Sequence, residues 1–308
     1  MKPKVHAFVL GYHAPEDSIE CLASLIDLPG IDQLYYLDNG STPEELAQVR
    51  AAFPDLDVLR FVDNVGYSGA FNGAVAHCIR NGADWVLAAN NDLIFDREAM
   101  IRMLDAAGRD PEAGILVPKI YYHDAPEQIW SAGFAQRVFP PTIIHRKTAG
   151  PEAGEFDLEE RVDFLPLCTA LVSAEAVKKI GLLDPTFFFY CEDTDYSKRM
   201  RDAGYSLRYV PDSKVWHKSP KVGADKRGKD HFWHHYGRSE RIFCRKYPSV
   251  YPGIQMWLHL AYLHARTVYE GGWSGLSVFR KSLKEGREAE MLPIPNWDDP
   301  SVKLPELI

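Results

Sequence analysis

The 308-residue sequence lacks most features of secreted, membrane-spanning or nucleic-acid-binding proteins. Its five cysteines are scattered, odd in number and never at metal-ligand spacing, which indicates reduced thiols rather than a disulfide framework. No apolar run approaches the roughly 18 residues of a membrane span, and the N-terminus reaches a charged loop too early for a signal peptide. A formal net charge of -8 argues against general nucleic-acid binding. These absences predict a cytoplasmic protein.

The charge is unevenly distributed along the chain. Residues 214–246 contain ten Lys or Arg and three acids, a local balance of +7, which leaves -15 for all other residues. Such a run is usually a solvated surface, although it could also hold a diphosphate or an anionic membrane face. The remaining composition, 46% hydrophobic and 25% charged, is ordinary for a globular protein and allows one large domain with a sizeable core.

The first third of the chain predicts alternating strands and helices. Its four strand-like runs are "VHAFVL", "QLYYLD", "DVLRFV" and "DWVLAA", each followed by residues with helical periodicity. Ser41 is placed to cap the second helix and Ser68 the third. Later runs, "GILVPKIYY", "VDFLPLCTALVS" and "YSLRYVPDSKVWHK", also indicate strands, and the chain beyond Tyr247 is amphipathic and helical. This order predicts an α/β fold with a mixed, mostly parallel sheet and helices on both faces.

Polar clusters follow three successive strands of the predicted sheet. They are Asp38 in "YLDNGS", the glycine-rich "DNVGYSGAFNGAV", and Asn90–Asp92 in "ANNDL". Turn formation explains each cluster separately, because Asn, Asp and Gly favour turns. Together they would form one rim at the carboxyl edge of the sheet, where open α/β folds bind ligands. The glycines do not form the Gly-x-Gly-x-x-Gly dinucleotide fingerprint, but they would let a helix N-terminus approach phosphates.

Two further positions are candidates for chemistry. Glu192 and Asp193 are adjacent at a helix start, where the helix dipole favours the charged forms, although acids are common there without a function. His217 follows a tryptophan near the end of the last predicted strand, and a lone histidine is more often structural unless a metal ligand lies nearby.

These segments resemble one known family. "YLDNGS", "NVGYSGAFNGAV", "NNDL", "FFFYCEDTDYSKRMRDAGY" and "YVPDSKVWH", in this order, are similar to the family 2 glycosyltransferases of the GT-A fold, in the rhamnosyltransferase-like branch. The resemblance implies a GT-A catalytic domain over residues 1–220, with a nucleotide-sugar half at about 1–112 and an acceptor half at about 113–220. It also implies a basic and amphipathic helical C-terminal region over 221–308.

The resemblance assigns roles to individual residues. Asp193 would be the catalytic base, with Glu192 beside it. Asp92 and His217 would bind a divalent cation. The donor-binding residues would be Asp38, Asn64, Gly66, Asn72, Asn90 and Asn91. Asn90 departs from the family's Asp-x-Asp motif, and an amide is a poorer ligand for a hard cation than a carboxylate, so the ion would arrive mainly with the donor's diphosphate.

The implied reaction is inverting transfer of a sugar from a dTDP-rhamnose-like or UDP-sugar donor, with Mg²⁺ or Mn²⁺. The acceptor would be a hydroxyl of a glycan or lipid-linked acceptor in bacterial cell-surface polysaccharide synthesis. The C-terminal region would contact the inner face of the membrane, pack on the catalytic domain, or join a second subunit. Two alternatives are a sugar-phosphate nucleotidyltransferase, which the absence of a Gly- and Arg-rich loop after the first strand disfavours, and a non-catalytic nucleotide-sugar-binding subunit.

Overall fold

The first third of the chain folds as its sequence predicts. The computed structural model of the protein describes residues 2–147, 150–218 and 228–308. The elements of this third are β1 (Val5–Gly11), α1 (Pro15–Leu25), β2 (Gln33–Asn39), α2 (Pro43–Ala52), β3 (Asp57–Phe61), α3 (Gly66–Arg80), β4 (Trp85–Asn90), β5 (Leu93–Phe95) and α4 (Ala99–Arg109). Strands β3, β2, β1 and β4 are adjacent in that order and all parallel, so their carboxyl ends share one edge.

The middle of the chain extends this sheet with strands of mixed direction. Its elements are β6 (Ala113–Tyr122), β7 (Ala125–Ser131), β8 (Phe134–Arg137), β9 (Thr142–His145), β10 (Glu160–Arg161), β11 (Thr169–Ser173), α5 (Ala174–Ile180), α6 (Glu192–Asp202) and β12 (Ser206–His217). Strand β11 lies antiparallel between β4 and β6, and β6 pairs parallel with β12. Strands β8 and β9 form a separate hairpin. The predicted mixed sheet is therefore confirmed, with its fully parallel part at the N-terminal end.

Two apolar layers cover the faces of the sheet because side chains alternate along each strand. Phe8 of β1 packs with Phe71 of α3 and Tyr196 of α6 on one face. Val9, the next residue, packs with Leu22 of α1 and with α4 on the other face. Helices on both faces leave the carboxyl edge of the parallel strands as the open side of the fold.

Two helices follow the sheet: α7 (Gly228–Lys246) and α8 (Ile254–Glu288). Helix α8 is interrupted at Gly272, whose φ of 66° and ψ of -166° are not helical. The rings of His264 and Phe279, on opposite sides of this break, lie 5.5 Å apart, so the two arms of α8 run antiparallel. Trp233 of α7 is buried between them, beside Gly271 and Gly275. In the described part of the chain no helix is both long and apolar enough to cross a bilayer.

The last twenty residues leave the helices and return to the first half of the sheet. Strand β13 (Glu306–Leu307) pairs antiparallel with β3, and Leu182 donates to the carbonyl of Pro295. A Cβ on Gly73 of α3 would lie 2.6 Å from the carbonyl of Lys303, so the tail packs closely on that helix. The predicted helical C-terminal region therefore ends at Glu288.

Three local predictions were wrong. Thr42, not Ser41, is the N-cap of α2, because Thr42 and Glu45 form a reciprocal capping box. Ser68 lies buried inside α3, which begins at Gly66. The predicted strand in "VDFLPLCTALVS" is regular only over β11. Part of the basic segment, residues 219–227, lies outside the described residues.

Candidate active site

Asp38 lies near the end of β2 with a fully buried side chain. Its Oδ1 accepts the N–H of Ser41 at 3.0 Å, and its Oδ2 makes an ionic contact with Arg60 Nε at 3.3 Å. Burial raises the pKa of this carboxyl, and the Ser41 and Arg60 contacts partly offset the rise. Strand register places Asp38 opposite Gly11 of β1. Direct contact between Asp38 and a nucleotide stays a prediction.

The turn before α3 is held by side-chain amides. The N–H groups of residues 65–67 donate to Asn39 Oδ1 at 3.1 Å, to Asn64 Oδ1 at 2.8 Å and to Phe188 O at 3.2 Å. The sequence predicted that such N–H groups face phosphates, whereas here protein oxygens accept all three. Gly66 is required, because its φ is +75° and a Cβ would lie 2.6 Å from the Phe188 ring.

Asn72 has a different environment from the one predicted. Its Nδ2 donates to the carbonyl of Leu183 at 2.9 Å, and its Oδ1 accepts the N–H of Leu183 at 2.8 Å. Both ends of the buried amide are therefore used to join α3 to the segment that precedes α6. Direct contact between Asn72 and the donor stays a prediction.

The residues of "NND" diverge at the end of β4. Asn91 turns toward α1 and donates to Ser18 Oγ at 3.0 Å. Asn90, opposite Leu10 in the register of β1, is half-buried and remains at the rim. Asp92 turns toward β12, where its Oδ2 lies 3.0 Å from His217 Nε2. The structure thus brings together Asp92 and His217, 125 residues apart, as predicted for a shared cation.

The Asp92–His217 pair fits a divalent cation. Two neighbouring ligands of an octahedral ion, each about 2.1 Å from it, are about 3 Å apart, which matches this pair. Asp92 Oδ1 and His217 Nδ1 are buried and have no hydrogen-bond partner among the described residues. A carboxylate and an imidazole together supply only part of a coordination shell, so the remaining ligands would come from the donor and water.

Three acids begin α6, and they have three different environments. Asp195 is fully buried and paired, with Arg199 Nε at 2.8 Å and Lys246 Nζ at 2.6 Å. Glu192 is buried, and its Oε2 has no hydrogen-bond partner among the described residues. Asp193 Oδ1 accepts the N–H of Thr194 at 2.6 Å and its hydroxyl at 3.1 Å. Asp195 is therefore structural, whereas Glu192 is buried and Asp193 half-buried, and neither acid forms an ion pair with a described residue.

Burial controls the ionisation of this acid pair. It raises the pKa of Asp193 to about 6, despite the opposing hydrogen bonds from Thr194. Burial, with the neighbouring charge of Asp193, raises the pKa of Glu192 well above its ordinary value. Near neutral pH, Asp193 is therefore largely ionised and able to accept a proton, whereas burial disfavours the charged form of Glu192 more strongly. The two adjacent acids are not equivalent.

A cavity of about 220 Å³ opens beside Asp193. The β8–β9 hairpin, the segment before α6, and helices α7 and α8 form its walls. Its ring and aliphatic lining includes Phe134, Ile143, Tyr190, Phe232, Tyr236 and Tyr251. Its polar lining includes Asp193, His145, Glu240 and Arg266. A carboxylate that can accept a proton thus faces an aromatic pocket, an arrangement that suits a sugar hydroxyl.

Glu240 and His259 form a buried pair in the cavity wall. His259 Nε2 lies 2.7 Å from Glu240 Oε1, and His259 Nδ1 lies 2.7 Å from the carbonyl of Pro141. Burial lowers the pKa of His259, but the contacts with Glu240 and Pro141 outweigh it and raise the net value. Cys244 brings a third possible ligand atom within 4.8 Å, but the direct 2.7 Å contact between His259 and Glu240 already pairs these two groups with each other.

The cation pair and the cavity are neighbours. The ring of Trp130 lies 4.5 Å from that of His217 and 4.6 Å from that of His145, which lines the cavity. Burial raises the pKa of the Cys168 thiol, and both Asp92 and Asp193 add to the rise, so both carboxylates lie within electrostatic reach of one side chain. The ring of Trp130 therefore links the Asp92–His217 pair to the wall of the pocket beside Asp193.

Backbone strain marks both parts of this site. In the described residues, the non-glycine residues with positive φ are His13 and Ala14, after β1, and Tyr190 and Cys191, before α6. Such left-handed residues cost about 1–3 kcal/mol each and cluster at functional sites. Sequence reasoning missed Tyr12, which is exposed at the rim beside His13, as well as Asn39 and Arg266. The "GYHAP" turn after the first strand was the available signal for Tyr12.

A ligand rim at the carboxyl edge of a parallel sheet, a carboxylate–histidine pair and an adjoining pocket define a nucleotide-sugar transferase of the GT-A class. Solved structures support this fold. GalNAc-T7 with UDP, GalNAc and Mn²⁺ matches with a TM-score of 0.63 and 13% identity, covering 93% of this chain and 56% of that chain. The mannosyltransferase PcManGT from Pyrobaculum calidifontis, in complex with GDP-Man and Mn²⁺, matches with a TM-score of 0.54 and 17% identity, covering 96% and 78%.

The chain belongs to the family 2 glycosyltransferases, because the sequence profile of glycosyl transferase family 2 matches residues 12–181. It is similar to the N-acetylglucosaminyl-diphospho-decaprenol L-rhamnosyltransferase of Mycobacterium tuberculosis, from strains CDC 1551 / Oshkosh and ATCC 25618 / H37Rv. Each is 27% identical over 222 residues, which cover 61% of this chain and 67% of the relative. The predicted rhamnosyltransferase-like resemblance is confirmed.

Proposed function

We propose that the protein is an inverting glycosyltransferase that moves a sugar, rhamnose or a related hexose, from a nucleotide diphosphate to an acceptor hydroxyl. The observation that carries this proposal is Asp193, an ionisable half-buried carboxylate that faces an aromatic pocket next to the Asp92–His217 pair. The similarity to L-rhamnosyltransferases supports a dTDP-rhamnose-like donor, with a UDP-sugar as the alternative. The relatives also support a role in cell-surface polysaccharide synthesis.

The reaction needs one proton acceptor and one displacement. Asp193 accepts the proton of the acceptor hydroxyl while that oxygen attacks the anomeric carbon of the donor. The bond from the anomeric carbon to the diphosphate oxygen breaks on the opposite face, and the nucleoside diphosphate leaves with the electron pair. A single displacement inverts the anomeric centre. General base catalysis of this kind typically contributes about 10²–10⁴-fold.

Donor binding is assigned to the rim of the sheet. Asp92 and His217 would hold a divalent cation, which when bound neutralises charge on the diphosphate. Mn²⁺ accepts an imidazole nitrogen more readily than Mg²⁺, which prefers oxygen, so the pair favours Mn²⁺. Because residue 90 is Asn where the family's motif has Asp, the pair would offer the cation a single carboxylate, that of Asp92. The cation would therefore bind strongly only together with the nucleotide.

Acceptor binding is assigned to the cavity. Its volume of about 220 Å³ is smaller than the roughly 300–1,000 Å³ of drug-sized sites, so it suits one sugar ring of the acceptor. Tyr190 and Tyr236 offer faces for that ring, and Arg266 supplies a cation in the wall. The acceptor of the relatives, a sugar on a lipid diphosphate, supports a lipid-linked acceptor for this protein. With such an acceptor, the protein would be cytoplasmic and would work at the inner face of the membrane.

The test is transfer by Asp193→Asn compared with Glu192→Gln. We expect Asp193→Asn to lower turnover about 10²–10⁴-fold with nucleotide affinity unchanged, because the lost carboxylate acts on the acceptor. Glu192→Gln, which replaces the neighbouring carboxyl with a neutral amide of similar shape, should cost much less. Near-normal turnover in Asp193→Asn, measured by release of nucleoside diphosphate, would refute the assignment of the base. Thermal shifts with a panel of nucleotide sugars identify the donor.

A further inference from the structure

The first arm of α8 exposes a face without charge. In residues 254–271, the exposed positions follow helical spacing: Ile254, Trp257, Leu258, Ala261, Ala265 and Tyr269. Trp257 is 74% exposed and Tyr269 91% exposed. This stripe extends about 22 Å along the helix. Monomeric soluble proteins rarely expose apolar surface of this extent, so the stripe indicates an interaction surface.

Cations lie alongside the stripe. The second arm of α8 exposes Arg280, Lys281, Lys284 and Arg287. A groove between the arms is lined by Trp257, Leu260 and Leu283 together with Arg241, Lys284 and Arg287. Arg280 and Lys284 form no ion pair with a described residue, whereas Lys281 and Arg287 have only loose contacts, at 4.0 and 3.8 Å, with Glu285 and Glu288.

A second exposed apolar element adjoins the start of α8. Val138 and Phe139, at the tip of the β8–β9 hairpin, are 82% and 74% exposed. The hairpin is fixed against this end of the helix, because Gln136 donates to the carbonyl of Val250 at 2.9 Å and His259 contacts the carbonyl of Pro141. The exposed apolar surface therefore spans two elements that also form walls of the acceptor cavity.

We propose that this face, the exposed stripe of α8 with the hairpin tip and the adjoining cations, docks on an anionic lipid bilayer. Aromatic side chains suit the interface of the bilayer, and each Lys or Arg near an anionic surface adds to the attraction. A second copy of the chain fits less well, because a two-fold contact through this face would bring its unpaired cations toward their own copies.

The docking gives the acceptor cavity its orientation, and this part rests on the proposed function. Arg266 is on the same arm as the exposed stripe but lines the cavity that contains Asp193. Docking of the stripe would therefore hold the cavity at the level of the lipid headgroups. A lipid-linked sugar could then reach Asp193 while its lipid chain stays in the bilayer.

The test is co-sedimentation of the full chain with vesicles at low salt. We expect binding to vesicles of phosphatidylglycerol and phosphatidylcholine in equal parts, and little binding to phosphatidylcholine alone. Trp257→Ser and the double variant Lys284→Glu with Arg287→Glu should each weaken binding about tenfold or more. Leu158→Ser and Arg50→Glu, matched exposed positions elsewhere, should bind like the wild type.

Three outcomes would overturn the docking: no sedimentation with anionic vesicles, equal sedimentation of all variants, or a dimer in light scattering that Trp257→Ser converts to a monomer. Sedimentation needs no turnover. A protein that transfers sugar but stays in the supernatant therefore refutes the docking alone, and a protein that sediments but transfers nothing refutes the proposed function alone.

Discussion

The donor rim and the acceptor cavity are built in opposite ways. The rim comes from consecutive strands within residues 38–92, with Asp92 completed by His217. Many of its polar side chains, including Asp38, Asn39 and Asn91, already have protein partners. The cavity gathers residues 134–266 from the β8–β9 hairpin and helices α6, α7 and α8, and contains a half-buried acid with a raised pKa. The rim is thus organised by strand order, whereas the cavity depends on contacts between distant segments.

The largest effect that would sharpen this comparison is the loss of the cation pair. Asp92→Ala should weaken binding of nucleoside diphosphate in the presence of Mn²⁺ by about 10-fold or more, because one of two protein ligands is lost. The same variant should bind the nucleotide normally without metal. Calorimetry with and without Mn²⁺ measures this coupling. Full transfer activity in excess chelator would instead show that the rim works without a cation.

The acid pair should give the reaction a pH dependence that belongs to the cavity. The pKa of Asp193, raised to about 6, means that the base is protonated below this pH and ionised above it. Turnover should therefore fall about tenfold per pH unit below about pH 6, while nucleotide affinity changes little. The measurement is kcat/KM against pH, with nucleotide binding as the control. An acid limb near pH 4 would contradict the raised pKa of Asp193.

Arg266 should separate acceptor binding from donor binding. Arg266→Leu should raise the acceptor KM about tenfold, because the cation in the cavity wall is lost, and should leave nucleotide affinity unchanged. Arg280→Leu, on the exposed side of the same helix pair, is the matched control for transfer in solution. Equal acceptor KM values for the two variants would remove Arg266 from the acceptor site.

The raised pKa of Asp193 also predicts a change in the free energy of unfolding. A group whose pKa is raised on folding stabilises the protein below its unfolded pKa and loses that contribution as the pH rises through the folded value. Asp193→Asn should therefore increase the free energy of unfolding by about 1–3 kcal/mol at pH 8 and have little effect near pH 4. Denaturant titrations at the two pH values test this. A variant that is destabilised at pH 8 would show that the charge is well solvated.

The smallest expected effects come from two Gly→Ala substitutions, one in helix α7 and one in helix α4 beside the sheet. A Cβ on Gly237 of α7 would lie 2.7 Å from the Phe279 ring and closer still to the Ser282 hydroxyl. Gly237→Ala should therefore destabilise the protein by about 1–3 kcal/mol. Gly108 in α4 has open space around it, so Gly108→Ala should stabilise by about 0.5–1 kcal/mol. Thermal unfolding of both variants should give shifts of opposite sign.

The sequence predicted more of the donor rim than of the acceptor cavity. The four parallel strands and their shared polar rim were predictable, because strand ends of a parallel sheet share an edge. The convergence of Asp92 and His217 was predicted only from the resemblance to the family. The N-cap of α2 was missed because two adjacent residues, Ser41 and Thr42, can both cap, and only Glu45 decides between them.

Contacts across the fold could not be predicted. Asn72 was predicted to line the donor site, yet it bonds Leu183, 111 residues away. Arg266 reaches the cavity because the first arm of α8 packs beside α7 and the β8–β9 hairpin, which line the same cavity. The different environments of Asp193 and Asp195 could not be predicted either, because Lys246, which pairs with Asp195, comes from the distant helix α7. Each of these contacts depends on tertiary packing and leaves no local sequence pattern.

The Asn72–Leu183 contact has a thermodynamic consequence. The start of α3 is tied to the segment before Asp193 by this amide, by the Tyr67–Phe188 hydrogen bond and by the contact of Gly66 with the Phe188 ring. A ligand that moves the first turn of α3 would therefore also shift the segment that leads into α6, where Asp193 lies. Occupancy of the rim and occupancy of the cavity then share a coupling free energy. Because linkage is reciprocal, each ligand changes the affinity for the other by the same factor.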